Sequence, residues 1–381
     1  MDNLTHSLIG LAASKAGLEK LSPGTTTLCV LAANAPDSDI LVLIFGGRWA
    51  FLHHHRGITH SIVGTAALAL ILPLVFYAGN LLLSRFRGTS VRFRFRGLLL
   101  ASFIVSATHP VMDWTNNYGV RFLLPWNPRW FYGDFVFIID PFLWIILGGA
   151  AFLLTSSTRK HLIFWLVIAL VPSYLVLIGP GGPARLANET LIRLLWIAAM
   201  IVVVTLYHRK IGGRLGARIA LGALAVATIY CGGLAAIHAV ALQQAKVEAL
   251  GVANKNAEQL LKVAAMATVA NPTEWACVME TDRAVYKFDL SLLHVRTDNP
   301  PLVRYEKPSA VNSTAITQAL SDSRSQVFMG FARFPVVRVV GEDCLTQTLV
   351  QFADLRYTEP GRNRGTFSLE VPVDCPVKVK P

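Results

Sequence analysis

An all-α polytopic membrane domain followed by a small β-rich (α+β) extracytoplasmic domain is the fold the sequence predicts, on three observations. The 381-residue chain is 53% hydrophobic and only 15% charged, whereas soluble domains carry roughly 25% charged residues. Long apolar runs recur through residues 58–242. After about residue 243 they give way to short runs rich in Val, Phe, Tyr and Thr. The predicted boundary puts a helical transmembrane domain at 1–243 and a C-terminal β-rich domain at 244–381.

Six apolar runs read as spanning helices: about 58–83, 97–118, 137–155, 161–180, 190–207 and 219–242. Each approaches the roughly 20 residues needed to cross a bilayer core. Two weaker segments precede them, at about 4–18 and 25–47. The second is interrupted by Asn34-Ala35-Pro36-Asp37-Ser38-Asp39. A proline and two carboxylates there predict a broken or re-entrant helix lining a polar cavity. The start of the chain, Met1 to His6, is acidic and shows no cleavable signal peptide.

Loop charge sets an orientation. The net charge is +12, and the arginine clusters flank apolar spans, which argues for loops of a membrane protein and against nucleic acid as a partner. Arg85, Arg87, Arg92, Arg94 and Arg96 follow the first strong span. Arg159 and Lys160 come two spans later, and Arg209, Lys210, Arg214 and Arg218 two spans later again. The positive-inside rule places these three loops in the cytoplasm. His53 to His60, His109 and Asp113 then gather toward the outer side, with Asp134 and Asp140 near them. The C-terminal domain falls outside the cytoplasm.

Residues 244–268 read as a helix leaving the membrane. Strand-like runs follow at Ala284 to Leu293, Phe334 to Val340, Thr348 to Tyr357 and Thr366 to Val373. Five scattered cysteines form no CxxC pair, which argues against cysteine-zinc chemistry. An extracytoplasmic location would permit a disulfide among Cys277, Cys344 and Cys375.

Ionisable side chains in apolar surroundings are costly, so those in the N-terminal third call for partners or a job. Four groups stand out. His55-Arg56-Gly57-Ile58-Thr59-His60-Ser61 carries two imidazoles across a glycine turn. The plain alternative is a loop of interfacial histidines. His109 and Asp113 are spaced i, i+4 on one helix face, as two ligands or as a hydrogen-bonded pair. Asp37 and Asp39 are a carboxylate pair or an N-cap with a solvated neighbour. His6 is a ligand or a core histidine. Imidazoles and carboxylates together are a common ligand set for divalent cations, which acidify water and polarise phosphoryl oxygens. Arg56 would pair with a phosphate oxygen or snorkel to the interface.

These residues resemble a known family. Thr5-His6, Pro36-Asp37-Ser38-Asp39, the run from His55 to Ser61 and His109 to Asp113 look like the membrane-bound, metal-dependent hydrolases called YdjM-like, LexA-regulated inner-membrane proteins. Tyr118-Gly119, Pro125 and Asp140-Pro141 carry the likeness to about residue 145. Asp354-Leu355-Arg356-Tyr357 resembles the extra domain of longer members. The family is distantly similar to zinc-dependent phospholipase C and the S1/P1 nucleases. That resemblance implies a principal site of Asp39, His55 or His60, His109 and Asp113, with His6 joining Asp113 at a second ion. The second helical His-x-x-x-Glu pair of those enzymes has no counterpart in the membrane region.

The expected function is an inner-membrane hydrolase of a phosphoester in a lipid or lipid-linked substrate. Its metal ligands would be His6, Asp39, His55, His60, His109 and Asp113, with zinc, manganese or iron as the ion. Asp37 would orient or deprotonate the attacking water and Arg56 would assist. Two non-enzymatic readings stay open: a membrane-anchored scaffold with a structural metal, and an ion or proton transporter using the buried His/Asp cluster. The sequence leaves the oligomeric state open.

Overall fold

In lipid the backbone must satisfy its own hydrogen bonds, so apolar runs of this length fold as helices. The computed structural model describes residues 1–178, 189–293, 302–308, 313–340, 347–362 and 365–374. Among them the helices of the N-terminal part are α1 (Asn3–Lys15), α2 (Thr25–Asn34), α3 (Val42–His54), α4 (Ile62–Arg87), α5 (Phe95–Trp114), α6 (Pro141–Thr155), α7 (Arg159–Leu177), α8 (Glu189–His208), α9 (Ile211–Leu215) and α10 (Ala217–Lys255). Among the described residues, six stretches are long and apolar enough to cross a membrane: Thr25–His54, Ile62–Arg87, Phe95–Trp114, Arg159–Leu177, Thr190–His208 and Ala217–Lys255. The chain is a multi-pass membrane protein with a β-containing C-terminal part, as its composition predicts.

Local chemistry explains the boundaries. Ser61 caps α4 by accepting from Gly64 N, and Gly88 ends that helix at a φ of 60°. The run expected to span from 137 starts only at Pro141, because Asp140 accepts from Phe142 N and Leu143 N and fixes the helix start there. The resulting α6 has 15 residues. The break expected after residue 34 is a 3-10 segment, Ala35–Leu41, between α2 and α3. A second break inside α3 falls at Gly47, with φ 68°.

The described chain divides into two compact units. One comprises Met1–Ser38, Arg56–His238 and Met266–Glu274, and the other Asp39–His55, Ala239–Ala265 and Trp275–Pro381. In the first unit small residues let helices approach closely, as membrane helices require. Cys29, Ala32, Ala33, Ala101 and Val105 form one buried cluster of α2 and α5. A Cβ on Gly10 of α1 would stand 2.6 Å from the Cys29 carbonyl oxygen of α2. A second cluster joins Leu8 and Ala12 of α1 to Trp144, Leu147 and Ala151 of α6 and to Trp165 and Trp196.

The C-terminal part contains two sheets. The first has strand order β1-β2-β3-β4, from Leu260–Thr268, Asn271–Thr281, Ala284–Ser291 and Val303–Glu306. The second has order β5-β6-β7, from Pro335–Val340, Gln347–Asp354 and Ser368–Asp374, all antiparallel. Two helices, α11 (Ser313–Leu320) and α12 (Ser323–Phe331), precede β5. Ala319, Phe328, Val350, Phe352, Leu369, Val371 and Val373 make a buried core, and Trp49 of α3 packs against it. The helix expected over 244–268 ends instead at Lys255. Ala257 takes a φ of 53°, and Leu260 to Thr268 enters the first sheet beside β2. Pairing there overrides the helical preference of its alanines.

Glu258, just past α10, ties this sheet together. It accepts from Thr281 Oγ1 at 2.7 Å, Tyr286 Oη at 2.8 Å and Arg304 Nη2 at 2.6 Å. Burial alone would push its carboxyl up, but these hydrogen bonds and the Arg304 charge outweigh that and hold it below the ordinary range. Cys277 is a buried free thiol. Cys344 and Cys375 lie outside the described residues.

Candidate metal centre

Two departures from regular helix and one regular helical turn bring the site together in the first unit. Pro36 helps turn the end of α2 into the 3-10 segment that carries Asp37. Gly57 and a left-handed Arg56, at φ 53°, precede a one-turn 3-10 segment, Ile58–His60. That turn folds so closely onto the first turn of α4 that a Cβ on Gly64 would lie 1.7 Å from the Ile58 carbonyl oxygen. The third contribution is regular: His109 and Asp113 sit one turn apart on α5, both buried.

Asp37, His60, His109 and Asp113 converge, with one ligand atom from each within 4.8 Å of every other. His60 Nε2 stands 3.1 Å from His109 Nε2. Asp37 Oδ1 lies 3.3 Å from His60 Nε2 and 3.5 Å from His109 Nε2. Asp113 Oδ2 lies 3.2 Å and 3.4 Å from the same two nitrogens. His109 Nδ1 donates to the Ala33 carbonyl oxygen at 2.6 Å. A neutral ring so held turns an Nε2 lone pair toward the cluster. His60 Nδ1 meets Thr59 Oγ1 at 3.1 Å.

This arrangement fits a cation. Asp113 Oδ2 is buried and accepts no well-formed hydrogen bond, although both Nε2 atoms are close. Four ligands around a tetrahedral zinc at bonds of about 2.0–2.1 Å stand about 3.3–3.4 Å apart. The five separations above, 3.1 to 3.5 Å, match five of the six edges of a tetrahedral set of ligands about one ion.

The other oxygen of Asp113 faces positive charge. Arg56 Nη2 lies 3.1 Å from Oδ1, and the Met1 ammonium pairs with the same oxygen. Arg56 Nη1 donates to the Asp113 carbonyl oxygen at 3.2 Å and to Asn116 Oδ1 at 2.9 Å. Its guanidinium also lies over the Tyr118 ring, 4.7 Å from the centroid. His6 Nε2 stands 3.3 Å from Asp113 Oδ1, while its ring stacks on His109 at 3.8 Å. His6 Nδ1 is buried without a hydrogen bond.

Of the expected site residues, His6, Asp37, Arg56, His60, His109 and Asp113 thus meet in one unit. Asp39 and His55 belong to the other unit, where His55 Nδ1 lies 3.0 Å from Asp39 Oδ1. Sequence reasoning missed Met1 and Asn116. Asn116 lies three residues beyond Asp113, a spacing that could have marked it. Nothing in the pattern pointed to the Met1 amine.

Residues 1–180 match the YdjM inner membrane protein family. All four clustered ligands lie in this matched segment, and the likeness drawn from the motifs is to the same family. An uncharacterised protein of Bacillus subtilis, YfhP, is 27% identical over 187 residues, covering 46% of this chain and 53% of that protein. The chain therefore spans about half of that relative's length. The inner membrane protein YbcI of Escherichia coli is 29% identical over 163 residues, 42% of this chain and 82% of that protein. No solved structure matches. Six candidate spans among the described residues make this a multi-pass membrane protein with a buried His/Asp group able to hold a metal ion, and over residues 1–180 it is similar to YdjM inner membrane proteins.

Proposed function

We propose that this chain is an inner-membrane, metal-dependent hydrolase acting on a phosphoester of a lipid or lipid-linked substrate. The observation that carries the reading is the set of ligand separations around His60 Nε2 and His109 Nε2, which suits a tetrahedral divalent cation. Zinc fits this ligand set first, with manganese and iron as alternatives. Four protein ligands fill a tetrahedral site, so a bound ion would supply Lewis acidity, and a water of lowered pKa where it becomes five-coordinate or Asp37 gives up its place.

The protein's own groups hold that arrangement in place. The Ala33 carbonyl fixes the tautomer and plane of His109. Arg56 and the Met1 ammonium engage Asp113 Oδ1, which leaves Oδ2 for the cluster. These two cations disfavour a further ion beside His6. Asp39 and His55 are proposed as a separate His–carboxylate pair for a further ion. Asp37 is proposed both as a ligand and as the carboxylate nearest a reacting water.

The domain division is proposed at about residue 243, with 1–243 carrying the site and 244–381 outside the cytoplasm. The test is metal content by elemental mass spectrometry of detergent-purified protein, wild type beside His109→Ala/Asp113→Ala. Stoichiometric metal in the wild type and its loss in the variant are expected. A wild type that stays metal-free after reconstitution with zinc, manganese or iron would overturn the reading. Loaded protein is then assayed for phosphate or headgroup release from phospholipid vesicles.

A further inference from the structure

We propose that the apolar cavity among α1, α6, α7 and α8 binds one acyl chain of a membrane phospholipid. The cavity measures about 330 Å³, within the range of about 300–1,000 Å³ common to ligand pockets. Its walls are hydrocarbon in chemistry as well as composition. Trp144, Trp165 and Trp196 line it, and each turns its one polar group to a protein partner. Trp144 Nε1 donates to Asp2 Oδ1 at 3.1 Å, Trp165 Nε1 to Thr155 Oγ1 at 2.7 Å and Trp196 Nε1 to Ser173 Oγ at 3.2 Å. The indoles therefore offer an occupant no free donor, so it must be apolar where it sits.

Location names the source of that occupant. Leu166 of α7 and Val204 of α8 belong to the lining and are exposed, on two helices long and apolar enough to span the bilayer. Leu8 of α1, also in the lining, is buried. A neighbouring helix, about 10–12 Å across, is far too wide for this volume. A single hydrocarbon chain entering from the bilayer matches both its volume and its chemistry.

The cavity also adjoins the metal centre. Leu4 and Leu8 line it, while His6, on the same helix, faces Asp113. Residues two apart on a helix face different sides, so cavity and centre lie on different sides of α1. A lipid whose chain occupies the cavity is thereby separated from the Nε2 cluster by α1. The step from bound lipid to substrate rests on the hydrolase reading above; the binding itself does not.

The experiment uses the full chain in phosphatidylethanolamine/phosphatidylglycerol vesicles containing a phosphatidylethanolamine with a diazirine in its acyl chain. After irradiation, labelled peptides are mapped. Label on the lining residues Leu8 and Met200 is expected, with Ile229, an exposed residue of α10, as the bulk-lipid reference. Gly148→Leu fills the cavity from α6, where the nearest atom to a new Cβ is Leu8 Cδ1 at 3.7 Å, an ordinary contact. Ala169→Phe fills it from α7. Both should lower label at Leu8 and Met200 several-fold, leave Ile229 unchanged and keep the wild-type far-UV circular dichroism and gel-filtration profile, which report an intact fold. Label at Leu8 and Met200 no higher than background in the wild type, or undiminished in both folded variants, overturns the proposal. Phospholipid turnover is scored separately, so loss of the hydrolase reading leaves this outcome intact.

Discussion

Arg56 is the residue on which the centre's charge balance turns. It is a buried guanidinium beside a buried carboxylate, and its fork reaches both Asp113 Oδ1 and Asn116 Oδ1. Removing one partner of a buried pair leaves the other uncompensated, typically at a cost of about 3–5 kcal/mol. The Met1 ammonium shares the same carboxylate, so the cost here should fall toward the lower end. Arg56→Gln keeps a donor for Asn116 but removes the charge. Its metal-free form should melt below the metal-free wild type in detergent. Zinc should then raise its Tm by more than it raises that of the wild type, because a bound cation replaces part of the missing positive charge. Equal zinc shifts in the two proteins would show that Arg56 and the ion do not act on the same carboxylate.

The elements matter through the turns between them. The Ile58–His60 turn sits on α4 only because residue 64 lacks a side chain: a Cβ there would meet the Ile58 oxygen at 1.7 Å. Gly64→Ala must therefore push the turn, and His60 with it, away from His109. Metal affinity should fall by about 10–100-fold, the usual effect of disturbing a ligand's supporting shell. Gly79→Ala on the same helix, with nothing within 4 Å of the new Cβ, is the control and should bind metal as the wild type does. A normal metal titration for Gly64→Ala would mean that the turn can shift without moving His60. The parts of this site that periodicity encodes were legible in the sequence: the His109/Asp113 spacing, the break at Pro36 and the glycine turn before His60. The exchange between Asp37 and Asp39 was not. Which of two carboxylates faces the imidazoles depends on the rotation of a short 3-10 segment, and no pattern of residue types encodes that. The strands beginning at Ala284, Pro335, Gln347 and Ser368 were legible through their β-branched and aromatic content, whereas Asn271–Thr281 and Val303–Glu306 were not. Leu260 to Thr268 was not, since its alanines read as helix until β2 is placed beside it.

For the molecule in the membrane, everything beyond residue 155 depends on whether α6 crosses. Three basic loops lie on one side only if it does. Yet α6 has 15 residues, about 22 Å at 1.5 Å per residue, against a hydrocarbon core of about 30 Å. A short helix is accommodated by local thinning of the bilayer and by flanking residues that reach the interface, at a modest cost per ångström. Arg159 and Lys160 directly after it are such residues, and a cytoplasmic surface is where they are favoured. If α6 instead turned back, the 156–160 loop would lie outside, α7 to α10 would invert, and the C-terminal sheets would face the cytoplasm. Asn127 and Ser157 are exposed on either side of α6, so single cysteines at these positions in a cysteine-free chain report its path. A membrane-impermeant maleimide applied to spheroplasts should label Asn127→Cys directly and Ser157→Cys only after permeabilisation. Direct labelling of both would place α6 as a re-entrant helix and move the C-terminal part into the cytoplasm, while the outward-facing metal centre would rest on the Arg85 to Arg96 loop and the Asn127 label.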